Sequence, residues 1–147
     1  MYSNGIRDYR KTSVVTADPK RLVLMCYEGA IDNLKIARQK IIEKDYESKS
    51  KSFIKTQDII EELMCSLDFE KGGAIARNLE SIYNYMTRRI LHADANSDIS
   101  AIQEVIEMLN ELKSAWEEVF LKQAGQIKSE TIGSDEEIRQ VANYVSV

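Results

Sequence analysis

A chain of 147 residues, 44% apolar and 30% charged, is long enough to bury one sizeable core and too apolar to remain disordered. A net charge of −4 lacks the basic excess of a general nucleic-acid binder, and no apolar run approaches a membrane span. One proline, six glycines and no sustained period-two alternation point to an all-α chain. The opening residues MYSNGIRDYRK do not read as a signal peptide, so a cytoplasmic protein is expected.

Residues 1–17 are polar but carry Tyr2, Ile6 and Tyr9 at near-regular spacing. They read either as a frayed terminus or as an arm whose aromatic and apolar side chains dock on the rest. The first helix is expected from Pro19 to Lys44, with Asp18 as N-cap and Pro19 at the first helical position, where a missing N–H costs nothing. Val23, Tyr27, Ala30, Leu34, Ala37 and Ile41 are spaced 4,3,4,3,4, the seam of a helix bundle. Leu22 to Tyr27 is apolar through more than one turn, more than a one-sided stripe needs. Gly29 lies inside the pattern and predicts close approach of a neighbouring helix.

Asp45 suits the next N-cap, and a second helix is expected from Tyr46 to Leu67. Its seam reads Tyr46, Ser50, Phe53, Gln57, Ile60, Met64, Leu67, with Ser50 and Gln57 polar where a dry core wants apolar groups. Lys49, Lys51 and Lys55 read as a solvated face. DFEKGG at 68–73 reads as a sharp turn. A third helix is expected from Ala74 to Ala95, with Ile75, Leu79, Ile82, Met86 and Ala93 on the seam and Arg89 in the remaining position. Ser97 or Asp98 caps a fourth, from Ile99 to Ala124, on which Ile102, Val105, Leu109, Leu112, Trp116 and Val119 form the seam and Gly125 the stop. Cys26 and Cys65 are expected as reduced core residues.

The sequence therefore predicts an antiparallel, up-down-up-down four-helix bundle over residues 1–125, with 1–17 as its arm. Residues 126–147 form a linker and a short amphipathic fifth helix. Ser134 and Glu137 resemble a capping box, and Ile138, Val141, Ala142 and Val145 follow at helical spacing. Whether that segment docks or lies loose stays open.

Catalysis finds no support. A di-iron bundle needs two Glu-x-x-His pairs, and the chain has one histidine, His92, with Arg89 three residues before it. Phosphotransfer at His92 wants a base nearby, whereas Asp94 would repel a phosphoryl group. No Gly-rich phosphate loop is present, and neither cysteine has a histidine beside it in sequence. No cofactor, metal or catalytic residue is expected. The positive signal is surplus apolar surface on the first three helices. It fits a groove for an amphipathic partner segment, a wide core, or a homodimer face. Patterning makes Ile54, Ile59, Leu63, Tyr83, Tyr85 and Ile90 the groove candidates, with Gln57 and Asn78 available to bond a partner's backbone. Tyr27 and Trp116 are expected in the core.

Three stretches resemble the flagellar export chaperone family FliS. Tyr9 precedes TADPKRLVLMCYEGAI at 16–31, SLDFEKGGAIARNLESIYNYMTRRI occupies 66–90, and LNELKSAWEE occupies 109–118. Cys26 stands where that family commonly has leucine, and the stretch 126–147 departs from its usual shorter ending. The resemblance implies a cytosolic, non-enzymatic chaperone that binds the C-terminal segment of flagellin. It would prevent premature polymerisation and aid delivery to the flagellar type III export apparatus. It also implies that the N-terminal arm, here Tyr2, Ile6 and Tyr9, covers part of the groove when the client is absent. Contact with the export apparatus or a regulatory co-chaperone is left open. The alternative is a structural helical-bundle scaffold or homodimerisation module with no flagellin client.

Overall fold

A computed structural model describes residues 19–129 as four helices: α1 (Pro19–Ile42), α2 (Tyr46–Cys65), α3 (Phe69–Asn96) and α4 (Ile99–Ser129). The proposed arm, with Tyr2, Ile6, Tyr9 and the Asp18 cap, and the proposed fifth helix lie outside the described residues. Among those described, no strand occurs and no helix is long and apolar enough to cross a membrane.

The corners are made by repeated local chemistry. Lys44 (φ 60°) and Ser97 (φ 48°) take left-handed conformations just past α1 and α3. In each case the next N–H, of Asp45 or Asp98, reaches back to a helix carbonyl, Lys40 O at 2.9 Å or Ala93 O at 3.1 Å. The same two aspartates then cap the following helix: Asp45 Oδ1 accepts from Ser48 N at 3.1 Å, and Asp98 Oδ1 from Ser100 N at 3.0 Å. DFEKGG departs from the expected turn. Asp68 Oδ1 accepts from Glu70 N and Lys71 N, so Phe69 to Gly72 already form a helical turn. The break falls at Gly73 (φ 52°, ψ −126°), a conformation that favours glycine. At the other end, α4 runs through Gly125 to Ser129 instead of stopping there.

α1 and α3 each pack against α2 and α4, so the helices stand at the corners of a square with α1 across from α3. Lys20 lies over the Phe120 ring, Tyr27 bonds Trp116, and Arg38 Nη1 donates to Gln103 Oε1 at 2.6 Å. Rising numbers on α1 thus meet falling numbers on α4, and the two run in opposite directions. The close approach predicted at Gly29 is to α2: a Cβ built there would meet Ile59 Cδ1 at 3.3 Å.

The core follows the expected seam on α1 but not on the two helices after it. α3 buries Gly72, Ala76, Leu79, Tyr83, Met86, Ile90 and Ala93, a 4,3 repeat in which 76, 83 and 90 replace the expected 75, 82 and 89. Arg89 explains the choice: the expected phase would have put a guanidinium in the core, and the adopted one does not. α2 shifts in the same way. It buries Lys49, Ser52, Phe53, Thr56, Asp58, Ile59, Ile60 and Leu63, leaving Ser50 and Gln57 half-buried at the margin. Thr56, fully enclosed, satisfies its hydroxyl by donating to Ser52 O at 3.0 Å. Lys49 is buried rather than solvated, its Nζ 3.0 Å from both Asp94 Oδ1 and Asp94 O. Cys26 is half-buried against the core, whereas Cys65, the last residue of α2, is exposed and is not a core residue.

Candidate functional site

The phase of α2 and α3 decides which side chains a partner can touch. Gln57 Nε2 donates to Thr87 O at 3.3 Å, and Lys49 pairs with Asp94. These contacts place positions 50, 54, 57 and 61 of α2 opposite 84, 87, 91 and 94 of α3 along one seam. Two large apolar side chains rise on its solvent side, Ile54 at 49% exposure and Leu91 at 59%. Gln57 and Thr87, each about one turn from Ile54 or Leu91 on its own helix, set a hydrogen-bonded polar pair beside them. Single exposed apolar residues are ordinary, but two branched aliphatics flanking one interhelical seam can grip an apolar stripe. The Gln57 amide, bonded through one of its hydrogens, keeps further capacity for a partner's backbone.

The eight residues expected in the groove separate into three groups. Ile54 and Gln57 stand on the α2–α3 seam. Tyr85 and Asn78, seven residues apart on α3, are exposed on its other flank, toward α4. Tyr85 Oη donates to Glu104 Oε2 at 2.5 Å, and Arg89 Nε donates to Glu104 Oε1 at 2.7 Å. The Tyr85 hydrogen bond and the Arg89 guanidinium hold the Glu104 carboxyl below its usual range, and the same hydrogen bond raises the Tyr85 phenol. Ile59, Leu63, Tyr83 and Ile90 are core residues, each at most 5% exposed, because the helices adopt the phase that turns them inward. Leu91 is the residue that pattern reading missed. Once Arg89 is moved off the seam, Leu91 is left as an apolar side chain one position past the core face.

The interior is closed by hydrogen bonds among aromatic groups. Trp116 Nε1 donates to Tyr27 Oη at 2.9 Å, and the Tyr27 and Tyr83 hydroxyls share a hydrogen bond of 2.5 Å. α4, α1 and α3 are thereby tied through the bundle centre. Burial pushes the Tyr27 phenol up to about 12. Among the described residues no group of histidine, cysteine, aspartate or glutamate is placed to hold a metal ion.

The family model described as flagellar protein FliS matches residues 2–124. The chain is similar to the flagellar secretion chaperone FliS of Salmonella typhimurium, 37% identical over 132 residues covering 86% of this chain and 98% of that protein. It is also similar to the protein of that name in Vibrio cholerae, at 33% identity with 78% and 88% covered. The protein of that name in Bacillus subtilis is likewise 33% identical, with 80% and 86% covered.

Proposed function

The chain belongs to the FliS family of flagellar proteins, a family of secretion chaperones rather than enzymes, and from that membership we propose that it binds the C-terminal segment of flagellin in the cytosol. It holds that segment back from polymerisation and hands it to the flagellar type III export apparatus. The observation that carries this reading is the seam between α2 and α3, where exposed Ile54 and Leu91 stand beside the bonded pair Gln57 and Thr87. An amphipathic segment that cannot bury its apolar face alone finds there two aliphatic anchors and a polar pair. Folding on the surface offsets part of the binding energy and keeps the complex reversible. Nothing in this cycle requires the chaperone to hydrolyse a nucleotide. Tyr2, Ile6 and Tyr9 of the N-terminal arm are proposed to compete with the client for the groove. Deletion of residues 2–14 is then expected to tighten flagellin binding, and unchanged affinity with unchanged stability would remove the arm from the account.

The test is substitution at the two anchors. Ile54→Asp and Leu91→Asp, both at exposed positions, are expected to leave the helical circular dichroism intact and weaken flagellin binding at least about tenfold each. Full affinity in both variants would move the client to another face, such as the Tyr85–Asn78 flank.

A further inference from the structure

Lys49 is the fourth residue of α2 and only 7% exposed. A cation near a helix N-terminus stands at the unfavourable end of that helix's dipole, and a buried ammonium must replace its lost water. Both needs are met by the opposite end of α3. The Lys49 Nζ lies 3.0 Å from Asp94 Oδ1 and donates to Asp94 O at 3.0 Å, with the Tyr46 ring centroid 5.3 Å away. α3 ends at Asn96, so the carbonyls of its last four residues have no amide of their own helix to accept. The Ala93 carbonyl is taken at the corner by the Ser97 and Asp98 amides, and the Asp94 carbonyl is taken by Lys49. One ammonium of α2 thus caps α3 and offsets the carboxylate in its last turn, where a cation is favoured.

A second bond of the same kind lies farther along the seam, where Gln57 Nε2 donates to Thr87 O at 3.3 Å. The two bonds are about 12 Å apart along α2 and about 11 Å apart along α3. Ile54 and Leu91 fall between them in sequence, Ile54 on the α2 side and Leu91 on the α3 side. Both acceptors are backbone carbonyls, so the bonds hold α3 itself and not one of its mobile side chains. The Lys49 bond is the shorter of the two and is charge-assisted, and Leu91 precedes Asp94 by less than one turn. A buried ion pair adds little stability over a well-packed apolar residue, and its best-attested use is to fix register. We infer that Lys49 is a positioning residue for the client seam. Without touching the client, it holds the last turns of α3 against α2, so that Leu91 stands at a fixed spacing from Ile54. This inference rests on the client seam proposed above and adds the residue that sets its geometry.

Lys49→Met keeps the buried stem and removes the ammonium. The Asp94 side chain is 37% exposed, so water takes up its carboxylate and the bundle stays folded, as circular dichroism would verify. Gly73→Ala, at the far end of α3, is the control that lowers stability with Lys49 in place. Flagellin affinity is expected to fall about tenfold in Lys49→Met and to hold in Gly73→Ala. In a Leu91→Ala background, Lys49→Met should cost less than about twofold, because the side chain it positions is gone. A merely structural role would lower stability without that coupling. In the free protein, hydrogen exchange at the amides of residues 93–98 should quicken about tenfold in Lys49→Met and not in Gly73→Ala. Unchanged exchange would overturn the inference whatever the client. So would faster exchange with full flagellin affinity, or an equal loss of affinity with and without Leu91. Failure of the wild-type chain to bind flagellin would reject the proposed function instead, and the exchange measurement would still decide whether Lys49 holds α3 against α2.

Discussion

The Tyr27 hydroxyl joins three helices by hydrogen bonds to Tyr83 and Trp116, and its chemistry should be visible at alkaline pH. Its phenol titrates near 12 in the folded protein against 10.0 for an ordinary tyrosine, because burial disfavours the phenolate. A raised pKa contributes stability that is complete below pH 10 and is lost as pH climbs to about 12, when the unfolded chain ionises first. The loss is on the order of 2–3 kcal/mol. Tyr27→Phe is expected to lower stability by about 1–3 kcal/mol at neutral pH, since it removes the hydroxyl that bonds both Trp116 and Tyr83, and to flatten the alkaline decline. Urea titrations across that range check both. Asp98 behaves oppositely. The Ser100 hydroxyl, the Ala101 and Ser100 amides and His92 stabilise its carboxylate and lower it to about 2. Its contribution is present above the usual carboxylate range and is lost as pH falls toward 2, a decline that Asp98→Ala should remove. Tyr27 and Trp116 were legible as core from spacing alone. Tyr83, Ile59, Leu63 and Ile90 were not, because an apolar residue flanking a supposed seam looks the same whether it faces a partner or the interior.

At the level of the helix, the corners and the phase carry the lesson. Asp45 and Pro19 were legible because caps and first-turn proline are chosen by local backbone chemistry, which a few residues specify. Bundle phase is different, since two candidate seams share Leu79, Met86 and Ala93 and differ only at the alternate positions. The cost of burying Arg89 decides between them, and that cost becomes visible only when Glu104 of α4 is seen beside it. Gly125 misled for a related reason: a glycine permits a helix to stop but does not require it, and α4 continues. The corners invite two substitutions. Lys44→Gly relieves a left-handed lysine and should stabilise the fold by about 1 kcal/mol. Gly73→Ala meets no side chain but must hold φ 52°, ψ −126°, and should destabilise by about 1–3 kcal/mol. Denaturant midpoints distinguish the two signs.

The whole molecule joins a closed, hydrogen-bonded interior to a seam between α2 and α3 that carries exposed apolar side chains. The interior explains why the apolar surplus read from the first three helices is smaller in the folded chain than in the sequence: most of it fills the square between the helices. What remains outside is spread over Ile36, Ile42, Tyr46, Phe69 and Tyr85 as well as Ile54 and Leu91, of which the last two share the α2–α3 seam. A scaffold or homodimer would use such a pair against its own copy, whereas a chaperone would offer it to a client. Calorimetric titration with flagellin from the same organism, intact and lacking its C-terminal segment, separates these directly. The account predicts tight stoichiometric binding to intact flagellin with a large negative heat-capacity change, absent for the truncated form and weakened by Leu91→Asp. Equal binding of the two forms, or no binding with the chaperone self-associated, would contradict it.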